Sequence, residues 1–440
     1  MWFRRDLRLR DHPALAHAIG PAAGGRSVVP LFVIDPRIWD HCGEVRRSAL
    51  AHALKGLDDA LRARGGALVV RHGLPDEVVP RVADEVGASE VVVTEDFGPL
   101  GRRRDAAVAA HLSAAGRTLT AVGSPYVHAP GYVRKPDGSA YRVFTPFFRQ
   151  WSTLAAPPPT PLPREDTDWI SLDHDGVPPG TNPASTWLPI TEAEASARWA
   201  SFLDHVDGYA EARDRPDLDA TSGLSAALKW GAVHPRTLLA EVGSGRGRDA
   251  FVRELAFREF YADVLFHLPA SNWWPLREEL GAIAIDTGDD AEARFHAWTQ
   301  GATGFPLVDA GMRQLLAEGW MHNRVRMVAA SFLVKDLHLP WQRGARWFLD
   351  HLVDGDVANN QHGWQWVAGT GTDAAPYFRI FNPITQALKF DPNGDYVRRY
   401  VPELRGIVDS GVHEPWKQPL LAQDYPSPIV DHATEREESL

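Results

Sequence analysis

Between Asp354 and Pro383 the chain reads DGDVANNQHGWQWVAGTGTDAAPYFRIFNP. Two acids, Asp354 and Asp356, precede the adjacent amides Asn359 and Asn360, and two indoles follow at Trp364 and Trp366. A site for a planar ring or a stacked base needs indoles beside it, with a few placed polar groups to orient the ligand. The same letters also describe a capped turn followed by an aromatic core helix. Both readings stand at this point. Calcium does not fit, because an EF-hand loop needs a ligand side chain at its fifth position and glycine at its sixth. Those positions hold Ala358 and Asn359. With no Cys/His cluster and no H-E-x-x-H, zinc has no ligand set either, so no metal site is expected. A Ser/His/Asp triad is likewise unsupported, since GSP at Gly123 lacks the nucleophile-elbow pattern.

Three other segments could meet a ligand. In TSGLSAALKWG the hydroxyls of Thr221, Ser222 and Ser225 stand at a helix start, where they either cap the helix or cradle a phosphate. Glu254 and Arg258, four residues apart, read as a surface ion pair. They also read as a carboxylate and a cation over an aromatic floor of Phe257 and Tyr261. WMHNRVRMVAASFLVKD carries Asn323, Arg324 and Arg326 on an otherwise apolar helix. A buried arginine needs a partner, which Asp354 or Asp356 could supply.

The elements that must position these groups fall into two kinds. Val28–Ile34, Ala67–Arg71, Glu90–Glu95 and Thr118–Val122 read as buried strands, with Trp2-Phe3 as the stub of the first. Helical patterns over Val45–Arg64, Pro75–Val86 and Gly101–Ala115 alternate with them, which predicts a doubly wound parallel five-stranded sheet. No G-x-G-x-x-G follows the first strand, so a dinucleotide on this sheet in the usual manner is not expected. GSGRGR, Gly243–Arg248, lacks a phosphate-loop Lys-Ser/Thr and reads as a plain loop. Proline-rich residues 152–190 read as a connector. From 191 onward helical periodicity dominates; in FPLVDAGMRQLLAEG, Pro306 suits the first turn and Gly319 the end. The expected division is 1–128 α/β, 129–190 linker and 191–440 all-α.

At 440 residues with 44% hydrophobic and 23% charged content, the chain is an ordinary globular one with room for two or three domains. The charged opening MWFRRDLRLR is unlike a signal peptide and no run reaches membrane-span length. One cysteine, Cys42, excludes an internal disulfide and suits a reducing cytoplasm. Net charge is −11, yet Arg324, Arg326, Lys335, Arg343, Arg346, Arg379, Lys389, Arg398 and Arg399 crowd the C-terminal part. Such a local basic surface could hold a phosphate backbone. Eight of sixteen tryptophans lie from Trp273 to Trp366, in keeping with either a helical core or a stacking site.

With the segments assembled, the chain resembles the photolyase/cryptochrome family, and within it the class I cyclobutane pyrimidine dimer photolyases. WFRRDLRLRDHPAL, TSGLSAALKWGAVHPR, ELAFREFYADVL, GFPLVDAGMRQLLAEGWMHNRVRMVAASFLVKDL and the opening stretch match successive family motifs in order. The resemblance implies light-dependent DNA repair: photoexcited reduced FAD donates an electron to a flipped-out cyclobutane pyrimidine dimer and splits it. A dimer within the duplex cannot reach a buried flavin, so extrusion of the damaged bases is implied too, as is general for photolyases. By motif position Tyr209, Thr221, Ser222, Gly223, Leu224 and Ser225 would hold the phosphates of a U-shaped FAD. Asn323, Arg326, Asp354, Gly355 and Asp356 would frame the flavin, with Asn360 beside N5. Glu254 would hydrogen-bond the lesion and Met327 pack on it. Phe257, Arg258, Tyr261, Arg324, Trp366 and Gln386 would contact DNA or lesion. Trp364 and Trp341 would carry electrons.

Two departures from the family stand out. The distal tryptophan of its electron chain should fall near Gly288, where there is none; Trp273, Trp274 and Trp347 are the candidates to replace it. Phe251 and Phe257 stand where tryptophans are usual, one of them a lesion-stacking wall. An antenna pigment would lie against EDFGPLGRRRD and SPYVHAPG, a deazaflavin in preference to a folate. The expected partner is damaged DNA, with no membrane and no obligate protein partner, for a monomeric cytoplasmic protein that joins the nucleoid when bound. A cryptochrome photoreceptor is disfavoured by Glu254, Asn360 and Met327, which are of the repair type. A (6-4) photolyase is disfavoured because Asn323, not a second histidine, follows His322. A nicotinamide-linked flavin enzyme lacks its fingerprint.

Overall fold

The computed structural model describes residues 1–21, 25–179, 188–277, 285–372 and 379–440. They form two compact units. Of the described residues, the first takes in those to 179, 188–207 and 222–269; the second takes in 208–221 and those from 270 onward.

Among the described residues the first unit has five strands, paired in parallel: β1 (Trp2–Phe3), β2 (Leu31–Ile34) and β3 (Val69–His72) with one another, and β4 (Glu90–Val93) with β5 (Thr118–Ala121). The expected single five-stranded ladder is corrected to two, β1-β2-β3 and β4-β5. β1 lies beside β4, but with two residues it offers few groups to pair. Helices α1 (Pro13–Ile19), α2 (Glu44–Arg62), α3 (Pro75–Glu85) and α4 (Pro99–Ala114) supply the crossovers. Trp2, Val33, Val69, Val91, Val93, Val108 and Leu112 close the core around the strands. Burial on both faces explains the unbroken valine runs in place of alternation.

Within the interval 129–190 the sequence FTPFFRQW forms α5 (Phe144–Trp151), so regular structure reaches into the segment read as linker. Its four aromatics bury apolar area that outweighs the local turn signals. Past it, residues 152–179 contain neither helix nor strand, only a bridge pairing Trp169 with Val28. Helix α6 (Glu192–Leu203) starts in a capping box, where Thr191 and Glu194 satisfy each other's backbone donors. α7 (Ser225–Trp230), a short helix over Pro235–Glu241 and α8 (Arg246–His267) follow.

The second unit is helical among its described residues: α9 (Asp289–Gln300), α10 (Pro306–Glu318), α11 (Asn323–Ser331), α12 (Trp341–His351), α13 (Val357–Ala368), α14 (Pro383–Phe390), α15 (Asp395–Tyr400) and α16 (His432–Glu438). α10 has Pro306 at its first position and ends on Gly319 at φ +65°, a left-handed conformation that favours glycine. Past Ser331 the chain continues in a π-turn over Phe332–Asp336. Trp298, Met312, Leu315, Val325, Phe332, Phe348 and Trp364 belong to one core cluster. Among the described residues no helix is long and apolar enough to cross a membrane.

Candidate functional site

In the second unit, α11 and the turn before α13 bring together the groups that the opening stretch only juxtaposes in sequence. Arg326 Nη2 donates to Asp354 Oδ2 at 2.8 Å, and its Nε donates to the Met321 carbonyl at 2.7 Å. The expected partnership between a helix arginine and Asp354 is therefore present. Asp354 keeps its second oxygen, Oδ1, buried and without a hydrogen-bond partner among the described residues. A buried carboxylate oxygen in that state is an acceptor waiting for a donor. Asp356 plays the cap: its Oδ1 accepts from Asn359 N at 3.1 Å and from Asn359 Nδ2 at 2.9 Å. Gly355 between them is buried, and a Cβ there would come within 3.2 Å of the Leu352 carbonyl oxygen.

Asn360 Nδ2 donates to the Ala345 carbonyl on α12 at 2.9 Å and to Gln361 Oε1 at 2.7 Å. That tether fixes the amide plane. Gly363, three residues on and hence on the same side of α13, has open space among the described residues where a Cβ would stand. An orphaned carboxylate oxygen, a fixed neutral amide and an unfilled glycine cradle fit a planar ligand that carries N–H donors and ring nitrogens, as a flavin does.

Asn323 is exposed at the first turn of α11. Its N-cap, His322, accepts from Arg324 N at 3.2 Å through Nδ1. Burial above all pushes the His322 imidazole down to about 4, which keeps it neutral and able to accept. Arg324 pairs with Asp214 at 2.9 Å and lies over the Phe390 ring at 4.4 Å. Sequence reasoning missed Asp214, whose partner stands about 110 residues away. Met327 and Gln386 are half-buried, and Gln386 Oε1 is buried without a partner among the described residues. Tyr209 and Thr221, also of this unit, are half-buried.

The indoles divide by burial. Trp364 is 3% and Trp341 6% exposed. Trp366 is half-buried, stacked on Phe381 at 6.3 Å with the Arg379 guanidinium 5.5 Å from its centroid. No Trp stands at Gly288, the N-cap of α9. Instead Trp298, which the sequence reading did not single out, meets Trp364 at 6.1 Å and Phe295 at 5.9 Å. Phe295 in turn meets Trp347 at 6.4 Å, and Trp347 stacks on His351 at 3.9 Å. Trp273 and Trp274 are exposed.

The expected basic surface needs correction. Lys335 is 1% exposed and donates to the Ala368 carbonyl, so it faces no solvent. Arg343 pairs with Glu292, Arg346 with Asp350 and Arg398 with Asp395. Each of these partners lies either one helical turn away or on a neighbouring helix, where a count of basic residues does not register it.

In the first unit Glu254, Phe257, Arg258 and Tyr261 lie at i, i+3, i+4 and i+7 of α8, all half-buried, while Leu255, Glu259 and Phe260 on other faces are buried, as is Phe251 one turn before Glu254. They form one stripe, as the spacing requires. Arg258 donates to the Pro125 carbonyl at 3.0 Å and the Leu228 carbonyl at 3.2 Å and stacks over Tyr126, so its donors serve the fold. Phe257 lies flat against Phe144 of α5. Glu259, behind the stripe, accepts from His128 N at 3.1 Å and Trp151 Nε1 at 2.6 Å, and also from Val127 N. Burial pushes its carboxyl up to about 7.

Ser222–Ser225 belong to this unit too. Gly223 has φ +66°, Ser222 Oγ accepts from Leu224 N at 3.4 Å, and the Ser222 carbonyl accepts from Arg198 Nε at 2.9 Å. α7 has Leu224 as N-cap with no side-chain cap, which corrects the capping alternative for Thr221 and Ser222. Ser225 at its first position is exposed. Around EDFGPLGRRRD the guanidinium groups of Arg4 and Arg104 cover the Trp2 ring at 4.9 and 5.1 Å. The cavity among Arg4, Asp6, Glu95, Phe97 and Tyr126 is about 20 Å³, room for water and not for a tricyclic pigment.

Comparison with known proteins decides the family. The model described as DNA photolyase matches residues 1–164, and that of the FAD binding domain of DNA photolyase matches 251–440. The chain belongs to the DNA photolyase family. A deoxyribodipyrimidine photo-lyase of Streptomyces griseus is 41% identical, covering 99% of this chain and 96% of the relative. One of Halobacterium salinarum is 38% identical, covering 100% and 97%. A bacterial class III photolyase from Agrobacterium tumefaciens, solved by crystallography, has a TM-score of 0.88 at 36% identity over 100% of this chain and 95% of that one. The family carries an α/β domain followed by a helical FAD-binding domain, as expected from the sequence.

Proposed function

We propose that this photolyase-family chain is a deoxyribodipyrimidine photo-lyase that repairs cyclobutane pyrimidine dimers in DNA under blue light. The observation that carries the reading is the triple on the turn before α13 and on α13 itself: the half-satisfied Asp354 held by Arg326 of α11, the tethered Asn360 and the open space at Gly363. Reduced FAD, when bound, supplies on excitation the electron that opens the cyclobutane ring. The protein's part is to hold, orient and shield. Asp354 Oδ1 accepts a ring N–H, and Arg326 balances that acid so that the site does not repel an electron-rich ring. Asn360 offers a neutral amide where another carboxylate would oppose the charge. Tyr209, Thr221, Ser222, Gly223, Leu224 and Ser225 hold the phosphates, with Asn323, Gly355 and Asp356 completing the frame.

On the substrate side Glu254 accepts from a base edge, Phe257, Tyr261 and Trp366 offer ring faces, and Met327 packs on the lesion. Arg324 and Gln386 meet the strand, while Arg258, its donors on the Pro125 and Leu228 carbonyls, braces the stripe. No general acid–base pair is required, in keeping with the absence of a hydrolytic triad from the sequence. Trp364 and Trp341 carry electrons, and Trp298 with Trp347 offers further indoles in place of the missing one near Gly288. An antenna pigment, a deazaflavin in preference to a folate, would lie against EDFGPLGRRRD and SPYVHAPG, where the small cavity by Phe97 and Tyr126 would have to widen to take it. The protein acts as a monomer in the cytoplasm and joins the nucleoid through damaged DNA.

The test is repair of an oligonucleotide bearing a thymine cyclobutane dimer against one bearing a (6-4) lesion, in blue light and in darkness. Dimer repair in light alone is the expected result. Repair in darkness, repair of the (6-4) lesion only, or no repair overturns the reading. An absorption spectrum of the fresh protein reports the flavin and any second pigment.

A further inference from the structure

We infer that Phe144, in the segment read from sequence as linker, is a positioning residue that sets the plane of the Phe257 ring for stacking on the lesion; the inference rests on the proposed role of Phe257. The two rings are nearly parallel, 9° apart, and lie face to face in contact. Phe144 is 8% exposed, whereas Phe257 keeps part of its surface open. One ring is thus the base and the other the working face.

A cofacial sandwich is not the arrangement two phenyl rings choose, because their negative faces oppose each other and an offset or an edge contact is better. Its surroundings hold it. Phe260, 1% exposed, meets Phe144 edge-on at 5.8 Å and 70°, and Phe148 lies near-parallel to it at 5.7 Å. The Arg253 guanidinium lies 4.8 Å from the Phe144 centroid and 5.2 Å from that of Phe148. A cation drawn to those π faces offsets the repulsion between stacked rings. Arg253 and Phe257 are i and i+4 on α8, so the helix presents the cation and the stacking ring to the same stretch of α5.

The arrangement bears on the departure at 257. A phenyl ring offers less area than an indole and, half-exposed on a helix, has room to turn about its side-chain bonds. Lying flat on Phe144, it has one face covered and one orientation selected before any base arrives. Preorganisation of this kind lowers the ordering cost of binding and makes up part of the area lost with the smaller ring.

The experiment measures, without light, the affinity of the FAD-loaded protein for a dimer-bearing oligonucleotide and for its undamaged counterpart. The variants are Phe144→Leu, Phe257→Leu and the double change, with flavin content and melting temperature recorded for each. Expected is a loss of roughly fivefold in dimer affinity for Phe144→Leu, with undamaged DNA and flavin content unchanged. The double variant should bind the dimer no worse than Phe257→Leu alone, because the first ring acts through the second. Additive losses in the double variant, or an equal loss for both DNAs, would show a merely structural role and overturn the inference. If Phe257→Leu weakens dimer binding and Phe144→Leu does not, the inference fails while the role of Phe257 stands. If Phe257→Leu itself has no effect, the role of Phe257 fails and takes the inference with it.

Discussion

Gly344 sits on α12 where that helix crosses the indole of Trp364. A Cβ at this position would lie 2.1 Å from Trp364 Cη2, 2.6 Å from Cζ3 and 2.5 Å from Leu333 Cδ2. Carbon atoms rest about 3.5–4.0 Å apart, so Gly344→Ala forces the indole or the helix to move by more than an ångström. The indole has little room, being 3% exposed and flanked by Phe348 at 5.0 Å and Trp298 at 6.1 Å. Overpacking of a full core costs about 1–3 kcal/mol, and so close a contact belongs at the upper end. Against it, alanine favours the helix over glycine by about 1 kcal/mol. The net expectation is destabilisation of about 2 kcal/mol, a fall in melting temperature of about 2 °C for a chain of this size. Thermal unfolding followed by tryptophan emission, with flavin removed so that cofactor loss does not mask the packing effect, reads it directly. A variant that melts at or above the parent temperature would refute the close seating of Trp364 against α12.

Gly363→Ala makes the opposite case: with nothing in the path of its Cβ, the flavin-free protein should be stabilised by about 0.5–1 kcal/mol, while flavin retained through purification falls. Equal flavin content in variant and parent would show that the space beside Asn360 is not the ring's. Phe257→Trp should tighten binding to a dimer-bearing oligonucleotide by about 1 kcal/mol, near the low end of base–aromatic stacking; unchanged affinity in a titration would contradict the stacking role. Glu259 carries a pH signature. Burial raises its carboxyl from 4.5 to about 7, so between those values the folded chain holds a proton that the unfolded chain has lost. Its contribution to stability is therefore best in acid, declines as pH rises through that window and levels off above it, by about 3 kcal/mol in all. Melting temperatures of parent and Glu259→Gln across about pH 4.5–8 should diverge accordingly, and parallel curves would remove Glu259 as the cause.

The parts of this molecule legible in its sequence are those governed by neighbours in the chain. Strand runs such as Glu90–Val93 and the bounds of α10, with proline at its first turn and glycine past its last, follow from local periodicity and backbone preference. The stripe on α8 follows from helical spacing once Glu254 is suspected. The Arg326–Asp354 pair was foreseeable because a buried guanidinium must find an anion and few were at hand. Contacts that depend on where distant segments meet stayed hidden. Nothing local to FTPFFRQW says that Phe144 lies under Phe257, and nothing near Arg324 points to Asp214. The basic surface misled for the same reason: Arg343 is a free charge in a count and half of an ion pair in space. Family motifs identify which residues matter; they do not tell how many of their donors the fold has already used, as with Arg258.

Asp356 begins α13 and, on the proposed reading, belongs to the cofactor's frame as well. One carboxylate then serves two equilibria. Whatever loosens the pigment withdraws a brace from the helix that carries Asn360 and Trp364, and whatever frays that helix releases the pigment. Loading with FAD should raise the melting temperature by mass action, and damage to the chromophore becomes a folding defect as much as a loss of colour.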